Sequence, residues 1–218
     1  MYTENLFSLE RTLAAPLFAE IEYPWQIPQM LEDYIYKLGA TLDKEKYAEI
    51  NTGIWVAKNA KIDSRATLTP PLIIDEAAEI RTGAYLRGSV IVGKGSVVGN
   101  SSEIKCALLF DGVQLPHYNY VGNSVLGYRA HLGAGAIISN LKSDKSNVSV
   151  TLGAKKIDTG MRKLGAIVGD LVEVGCNSVL CPGTVIGRES TVYPLSRVRG
   201  YIPEKTIYKG EGNLTEKR

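Results

Sequence analysis

Val90-Ile-Val-Gly-Lys-Gly-Ser-Val-Val-Gly-Asn-Ser-Ser-Glu-Ile104 decides the fold. Val92, Val98 and Ile104 are apolar and six residues apart. Gly93 and Gly99 follow the first two, and Ser96 and Ser102 stand four residues after them. A sixfold period suits neither an α-helix, at about 3.6 residues per turn, nor a strand that alternates every second residue. Stepping outward by six in both directions gives Val56, Ile62, Leu68, Ile74, Ile80, Leu86, Val92, Val98, Ile104 and Phe110, all apolar. The rhythm resumes in a shifted register at Tyr120, Leu126, Leu132 and Ile138. It returns at Val168, Val174, Leu180, Ile186, Val192 and Val198. Small or β-branched residues recur four places later, among them Ala60, Ala78, Ala130, Ser178 and Thr184. This is the hexapeptide pattern of a parallel β-helix. The aliphatic side chain enters a narrow prism, the small residue fits the crowded corner, and glycine takes backbone angles that a Cβ penalises. Three hexapeptides close a coil of about eighteen residues, so residues 54–203 hold about seven coils and one excursion. A β-sandwich would instead show twofold alternation, with turn signals about every 8–12 residues.

The rest of the chain is organised around that solenoid. A stack of coils exposes edges at its ends, so covers are expected. Residues 1–52 read as a helical cap or docking segment. Met30, Leu31, Tyr34, Ile35 and Leu38 form one helical stripe between Pro28 and Gly39. Further short helices are predicted at Asp43–Ile50, with Asp43 as cap, and over Leu6–Phe18. Residues 53–203 form the β-helix, and residues 204–218 are a polar tail expected to be loose beyond Tyr208.

Composition narrows the function. The chain has 218 residues, with 25 Lys+Arg against 23 Asp+Glu and a net charge of +2, which gives no general pull toward nucleic acid or an anionic membrane. Mean hydropathy is −0.04, and no apolar run approaches the roughly 20 residues of a membrane helix. The first ten residues lack the pattern of a secretory signal. Three cysteines, Cys106, Cys176 and Cys181, are too few for a disulfide framework and fit a reducing cytoplasm. With only His117 and His131, one chain cannot supply three histidine ligands, so no metal site is expected.

Two places break the rhythm. The first lies between Phe110 and Tyr120, where Pro116 precedes His117. Imidazole is suited to proton transfer near neutral pH, and a distorted corner of a rigid coil could hold it pointing outward. The second is residues 141–165, where Lys142, Lys145, Lys155, Lys156, Arg162 and Lys163 outnumber Asp144 and Asp158. A loop of this length reads either as a binding loop for phosphates or carboxylates or as a solvated one.

The runs Val98-Gly-Asn-Ser-Ser-Glu-Ile-Lys105, Pro116-His-Tyr-Asn-Tyr-Val-Gly-Asn123, His131-Leu-Gly-Ala-Gly-Ala136 and Ser139-Asn140 resemble a known family. It is the acetyltransferase domain of bacterial bifunctional glucosamine-1-phosphate acetyltransferase/N-acetylglucosamine-1-phosphate uridyltransferase. The resemblance spans residues 54–203 and is strongest over 83–140. It implies an all-β, left-handed parallel β-helix, a homotrimer with sites shared between copies, and acetyl-CoA as co-substrate. The implied acceptor is an amino-sugar phosphate or a nucleotide amino-sugar, in the UDP-N-acetylglucosamine pathway. By the same resemblance, His117 is the general base, and Arg87 and Lys105 hold the sugar phosphate. Tyr120 and Asn140 orient the sugar, the Ala134 backbone steadies the acyl oxygen, and Cys176 lies near the thioester. His131, counted among the substrate-binding residues, stands where the family usually has an asparagine beside the catalytic base, and Leu141 where it has a tyrosine. The excursion is also longer than the family's loop. Residues 1–52 hold no Gly-rich nucleotide loop, so nucleotidyl transfer by this chain is not expected. The alternative is a non-catalytic β-helix that binds a sugar nucleotide or scaffolds a partner.

Overall fold

The computed structural model describes residues 3–217. Its centre is a three-sided parallel β-helix. Face 1 is built from short strands at Ile54–Ala57, Leu72–Ile74, Val90–Val92, Glu103–Leu109, Tyr120–Leu126, Ala166–Val168, Thr184–Ile186 and Tyr201–Ile202. Each pairs in parallel with the next, Ile54 with Leu72, Leu72 with Val90, Val90 with Ala107 and Ala107 with Ser124. Val125 then pairs with Ile167, Ile167 with Val185 and Val185 with Tyr201. Face 2 stacks Lys61, Glu79, Val97, Gln114, His131, Glu173, Thr191 and Ile207 in the same way. Face 3 stacks Thr67, Tyr85, Glu103, Tyr120, Ile137, Val179 and Arg197. Eight rungs on face 1 make seven coils, with the excursion inserted between Ile138 and Ala166.

The prism is filled as the sixfold pattern requires. Ile74, Val92, Leu109, Leu126, Val168 and Ile186 stack inward from face 1 within a single core that includes Val98, Leu115 and Leu132 from face 2. The slip in register lies elsewhere than the sequence suggested. The inward residue after Ile104 is Leu109, and the one after Val121 is Leu126. Each of these coils is one residue short, and the omission falls at the corner between faces 3 and 1. There Cys106 and Asn123 take left-handed backbone angles, with φ of 47° and 50°. Phe110 and Tyr120, which the sixfold count placed inside, do not fill the prism. Phe110 points out of face 1 and stacks on Phe7, ring centroids 5.0 Å apart, with Phe18 at 5.8 Å. It kept the apolar series going because it serves a second core.

That second core lies on the outer side of face 1. Ile73, Ile91, Leu108, Val125, Ile167 and Val185 point outward from its strands and meet the N-terminal segment. The helix α1, Ile27–Gly39, turns Ile27, Leu31 and Ile35 onto them, and Trp25 joins from the preceding turn. Each fully buried side chain of this size contributes about 1.5–3 kcal/mol, so the segment is an integral layer of the fold. Among the described residues, Tyr47–Asn51 covers the start of the solenoid, as an antiparallel strand on Ile54–Ala57. Leu6–Leu38 lies along the flank rather than over the end. The helix expected at Asp43–Ile50 is therefore replaced by a turn and this strand. Asp43 does cap, accepting the Glu45 N–H at 2.9 Å. Leu6–Phe18 forms short 3-10 turns instead of one helix. The fully buried Asp170 carboxylate ties this segment down, accepting N–H bonds from Ser8 and Tyr128, both at 2.8 Å, and pairing with Arg188 at 3.0 Å.

The excursion is ordered. Ser149–Leu152 and Lys155–Asp158 form an antiparallel hairpin. Val148, Val150, Met161 and Leu164 bury themselves in the outer core. The C-terminal tail also departs from expectation, because Leu214–Glu216 folds back as a strand on Thr206–Tyr208.

Candidate functional site

His117 ends the face 2 strand Gln114–His117, at the corner where the chain turns onto face 3. Several local features fix that corner. Pro116 restricts the preceding backbone. Beneath it, a Cβ at Gly99 would sit 1.6 Å from the Pro116 carbonyl oxygen, so only glycine lets the coils approach this closely. Tyr118 then takes φ of 52° to complete the turn. Asn119 is 2% exposed; its Oδ1 accepts the His117 N–H at 3.2 Å, and its Nδ2 donates to the carbonyls of Gly133 at 2.9 Å and Ala136 at 3.2 Å. The His117 side chain projects from this fixed backbone into solvent.

The same left-handed corner recurs at Gly83, Ser101, Tyr118, Gly135, Asn177 and Leu195, and main-chain bonds stack the central copies. Tyr118 N–H donates to Asn100 at 3.0 Å, Gly135 N–H to His117 at 3.0 Å, Asn177 N–H to Ala134 at 2.9 Å and Leu195 N–H to Cys176 at 2.9 Å. His117, Ala134 and Cys176 thus form one row along a single edge of the prism. The Ala134 N–H has no acceptor among the described residues. The exposed Cys176 thiol lies one coil above it.

The cationic residues lie on face 3 and its far edge. Tyr85, Glu103, Tyr120 and Ile137 form its outward ladder. Arg87 pairs with Glu103 at 2.6 Å and lies 5.7 Å from the Tyr85 ring. That carboxylate raises the Arg87 pKa and offsets part of its charge, first through the hydrogen bond. Lys105 follows Arg87 in register, and no carboxylate pairs with it among the described residues. Tyr120 and Asn140 crowd together over Gly122, and Asn140 Nδ2 donates to Asn123 Oδ1 at 2.7 Å. Burial, then Glu103, pushes the Tyr120 phenol above its ordinary pKa, so it is a hydrogen-bond donor at neutral pH. From His117 to Gly122 the chain advances five residues, or about 16 Å at most in extended form. Gly122 is in register with Lys105, so the width of face 3 separates the imidazole from the cations within one chain.

His131 stands apart from the His117 row. It begins its rung on face 2, three residues before Ala134, and its Nδ1 lies 2.6 Å from Glu173 on the next rung. Leu141 is exposed at the mouth of the excursion, bridged to Lys163. Sequence reasoning missed Asn119, Glu103 and Glu173. Asn119 had a local signal, an Asx residue two places after the histidine in a Pro-containing turn. The two glutamates become partners only through coil stacking.

Comparison with known proteins places this architecture. The GMPPB C-terminal domain family matches residues 68–159. A bifunctional sugar-1-phosphate nucleotidylyltransferase/acetyltransferase from Sulfurisphaera tokodaii is 33% identical over 188 residues, covering 78% of this chain and 45% of the relative. Over its hexapeptide-repeat region the chain is similar to these bifunctional proteins. The bifunctional protein GlmU of Methanococcus aeolicus is 30% identical, over 96% of this chain and 58% of that protein. The chain spans about half the length of the curated relatives it matches. Among solved structures, the acetyltransferase domain of PglB from Neisseria gonorrhoeae is 12% identical, with a TM-score of 0.33, over 88% of this chain and 72% of that one. No helix among the described residues is long and apolar enough to cross a membrane.

Proposed function

We propose that this chain is an acyl-CoA-dependent N-acetyltransferase acting on an amino-sugar phosphate or a nucleotide amino-sugar. The observation that carries the reading is the shared edge of His117, Ala134 and Cys176. It offers a base, an N–H donor and a small side chain in consecutive coils. Acyl transfer to an amine needs a base to remove the ammonium or attacking-amine proton, and a donor for the developing oxyanion. His117 takes the proton as the amine nitrogen attacks the thioester carbonyl. The Ala134 N–H faces the oxygen of the tetrahedral intermediate. The C–S bond then breaks, and the proton passes from His117 to the departing thiolate. Arg87 and Lys105 hold the acceptor's phosphate, and Tyr120 and Asn140 its hydroxyls.

His131, paired with Glu173 on face 2, presents an imidazole where the family has an amide, and in an assembly whose face 2 meets a neighbour's acceptor site it changes the donor pattern there. The corner carries exposed apolar residues, Tyr118 and Leu195 at 62% and 79% exposure. These support a homotrimer in which a second copy covers this edge and completes the site. The winding is left-handed and the setting cytoplasmic, where the three free thiols stay reduced. Thiol release from acetyl-CoA, measured across glucosamine-1-phosphate, other amino-sugar phosphates and nucleotide amino-sugars, tests the reading. Turnover with one of them is expected. Acceptor binding without thiol release from any acyl-CoA would overturn it in favour of a non-catalytic β-helix.

A further inference from the structure

We propose that Arg199, Lys156 and Lys142 form a second anion site, which binds a phosphate of a nucleotide ligand in the cavity between the excursion and the last coils. A cavity of about 260 Å³ is lined by Lys142, Ser149, Thr151, Lys156, Gly183 and Arg199, with no carboxylate in its wall. A neighbouring hollow of about 380 Å³ shares Lys142 and Arg199 and opens toward Ser139.

The hairpin is held against the coil closely enough to make these walls. Gly183, at φ of 80°, lets the Ser149 carbonyl oxygen come within 2.6 Å of where a Cβ would stand. Val148 and Val150 anchor the hairpin in the outer core. Lys142 is pinned, its Nζ donating to Ser146 Oγ at 2.5 Å and to the Asn147 carbonyl at 3.2 Å, with Asp144 at 3.8 Å. Arg199 and Lys156 have no carboxylate partner among the described residues, whereas nearby Arg197 is taken by Glu211 at 2.7 Å. Three cations of this kind around a polar hollow, two of them uncompensated, attract a compact anion such as phosphate.

The position separates this site from Arg87 and Lys105. Register carries one outward row from Arg87 through Lys105, Gly122, Ser139 and Cys181 to Arg199. Four rungs, or about 19 Å, lie between Lys105 and Arg199. A single phosphate cannot touch both. Within the proposed function, the second anion is therefore either the nucleotide phosphate of the acyl donor or the diphosphate of a nucleotide-sugar acceptor.

Calorimetric titration of the full chain with coenzyme A, 3′-dephospho-coenzyme A and UDP tests this in parent, Arg199→Ala, Arg199→Lys and Lys156→Ala. Lys61→Ala, far from the cavity, is the control, and melting temperature reports folding. The proposal expects at least tenfold weaker binding in Arg199→Ala and Lys156→Ala, with partial recovery in Arg199→Lys. Loss for coenzyme A but not for its dephospho form assigns the site to the donor's 3′-phosphate. Loss confined to UDP assigns it to the acceptor. Unchanged binding of all three probes, an equal loss in Lys61→Ala, or no binding by the parent would overturn the site. A parent that binds coenzyme A here yet never releases thiol would sink the acetyltransferase reading and leave the anion site standing.

Discussion

Replacing Asn119 with alanine removes the group that joins the His117 corner to the coil above. The side chain is 2% exposed and makes three hydrogen bonds, at 3.2, 2.9 and 3.2 Å. At about 1 kcal/mol each, their loss costs about 3 kcal/mol, although the Gly133 carbonyl keeps the Ala136 N–H at 3.1 Å. For a chain of this length about 3 kcal/mol corresponds to a melting temperature lower by roughly 6–12 °C. The damage is local, since each coil depends mainly on its neighbours. Hydrogen exchange should quicken most at Tyr118 and Gly135, whose N–H groups close the corner. If the proposed chemistry holds, kcat falls more than KM rises, because the base loses alignment while Arg87 and Lys105 keep the acceptor. Measurement is by thermal melting, amide exchange and thiol-release kinetics on the same protein. A melting shift under about 2 °C, or exchange that rises uniformly over all coils, would refute the assignment of Asn119 as the corner's anchor.

Other perturbations test other levels of the account. Gly99→Ala forces a methyl to within 1.6 Å of the Pro116 oxygen, so the His117 corner must shift. Calorimetry should show a loss of at least the about 1–3 kcal/mol typical of overpacking, and a smaller loss in Gly95→Ala, where nothing lies within 4 Å. Arg188→Ala leaves the buried Asp170 carboxylate with only two N–H donors. Residues 3–20 should become sensitive to limited proteolysis, at a stability cost below the about 3–5 kcal/mol of a fully buried pair. Asp75 accepts bonds from the Tyr47 hydroxyl and the Glu76 N–H, and burial, first among its causes, raises its carboxyl pKa. The folded chain then holds this proton more tightly than the unfolded one. Its contribution to stability is full below the ordinary carboxyl value of about 4 and is lost as pH rises through the raised folded value. Asp75→Asn should therefore gain stability relative to the parent between about pH 4 and 7 in denaturant titrations; a difference that narrows as pH rises contradicts this.

The solenoid was legible because its period is a local property. Each hexapeptide repeats the same inward, corner and glycine chemistry, so Ile80, Val98, Leu132 and Val192 announce themselves without reference to distant residues. The α1 stripe was legible for the same reason. What failed was any case in which one residue type served two purposes. Phe110 continued the sixfold count but belongs to the outer core, so the slip at Cys106 was placed several residues late. The segment Asp43–Ile50 has helical neighbours, yet the free edge of Ile54–Ala57 draws Tyr47–Asn51 into a strand. The tail looked too polar to order, but the open edge at Thr206–Tyr208 takes up Leu214–Glu216. In the candidate site, His117, Ala134 and Cys176 could be named by resemblance, and stacking sets them in one row. The pairing of Arg87 with Glu103 and of His131 with Glu173 depends on coil-to-coil register, which one sequence does not display.

The most direct trial of the central claim is single-turnover thiol release by His117→Ala beside the parent, with the best acceptor from the panel. Positioned proton transfer contributes about 10²–10⁴-fold, so the variant should lose that much rate while its melting temperature and coenzyme A affinity stay within error of the parent. Turnover at the parent's rate with the imidazole gone would contradict the account.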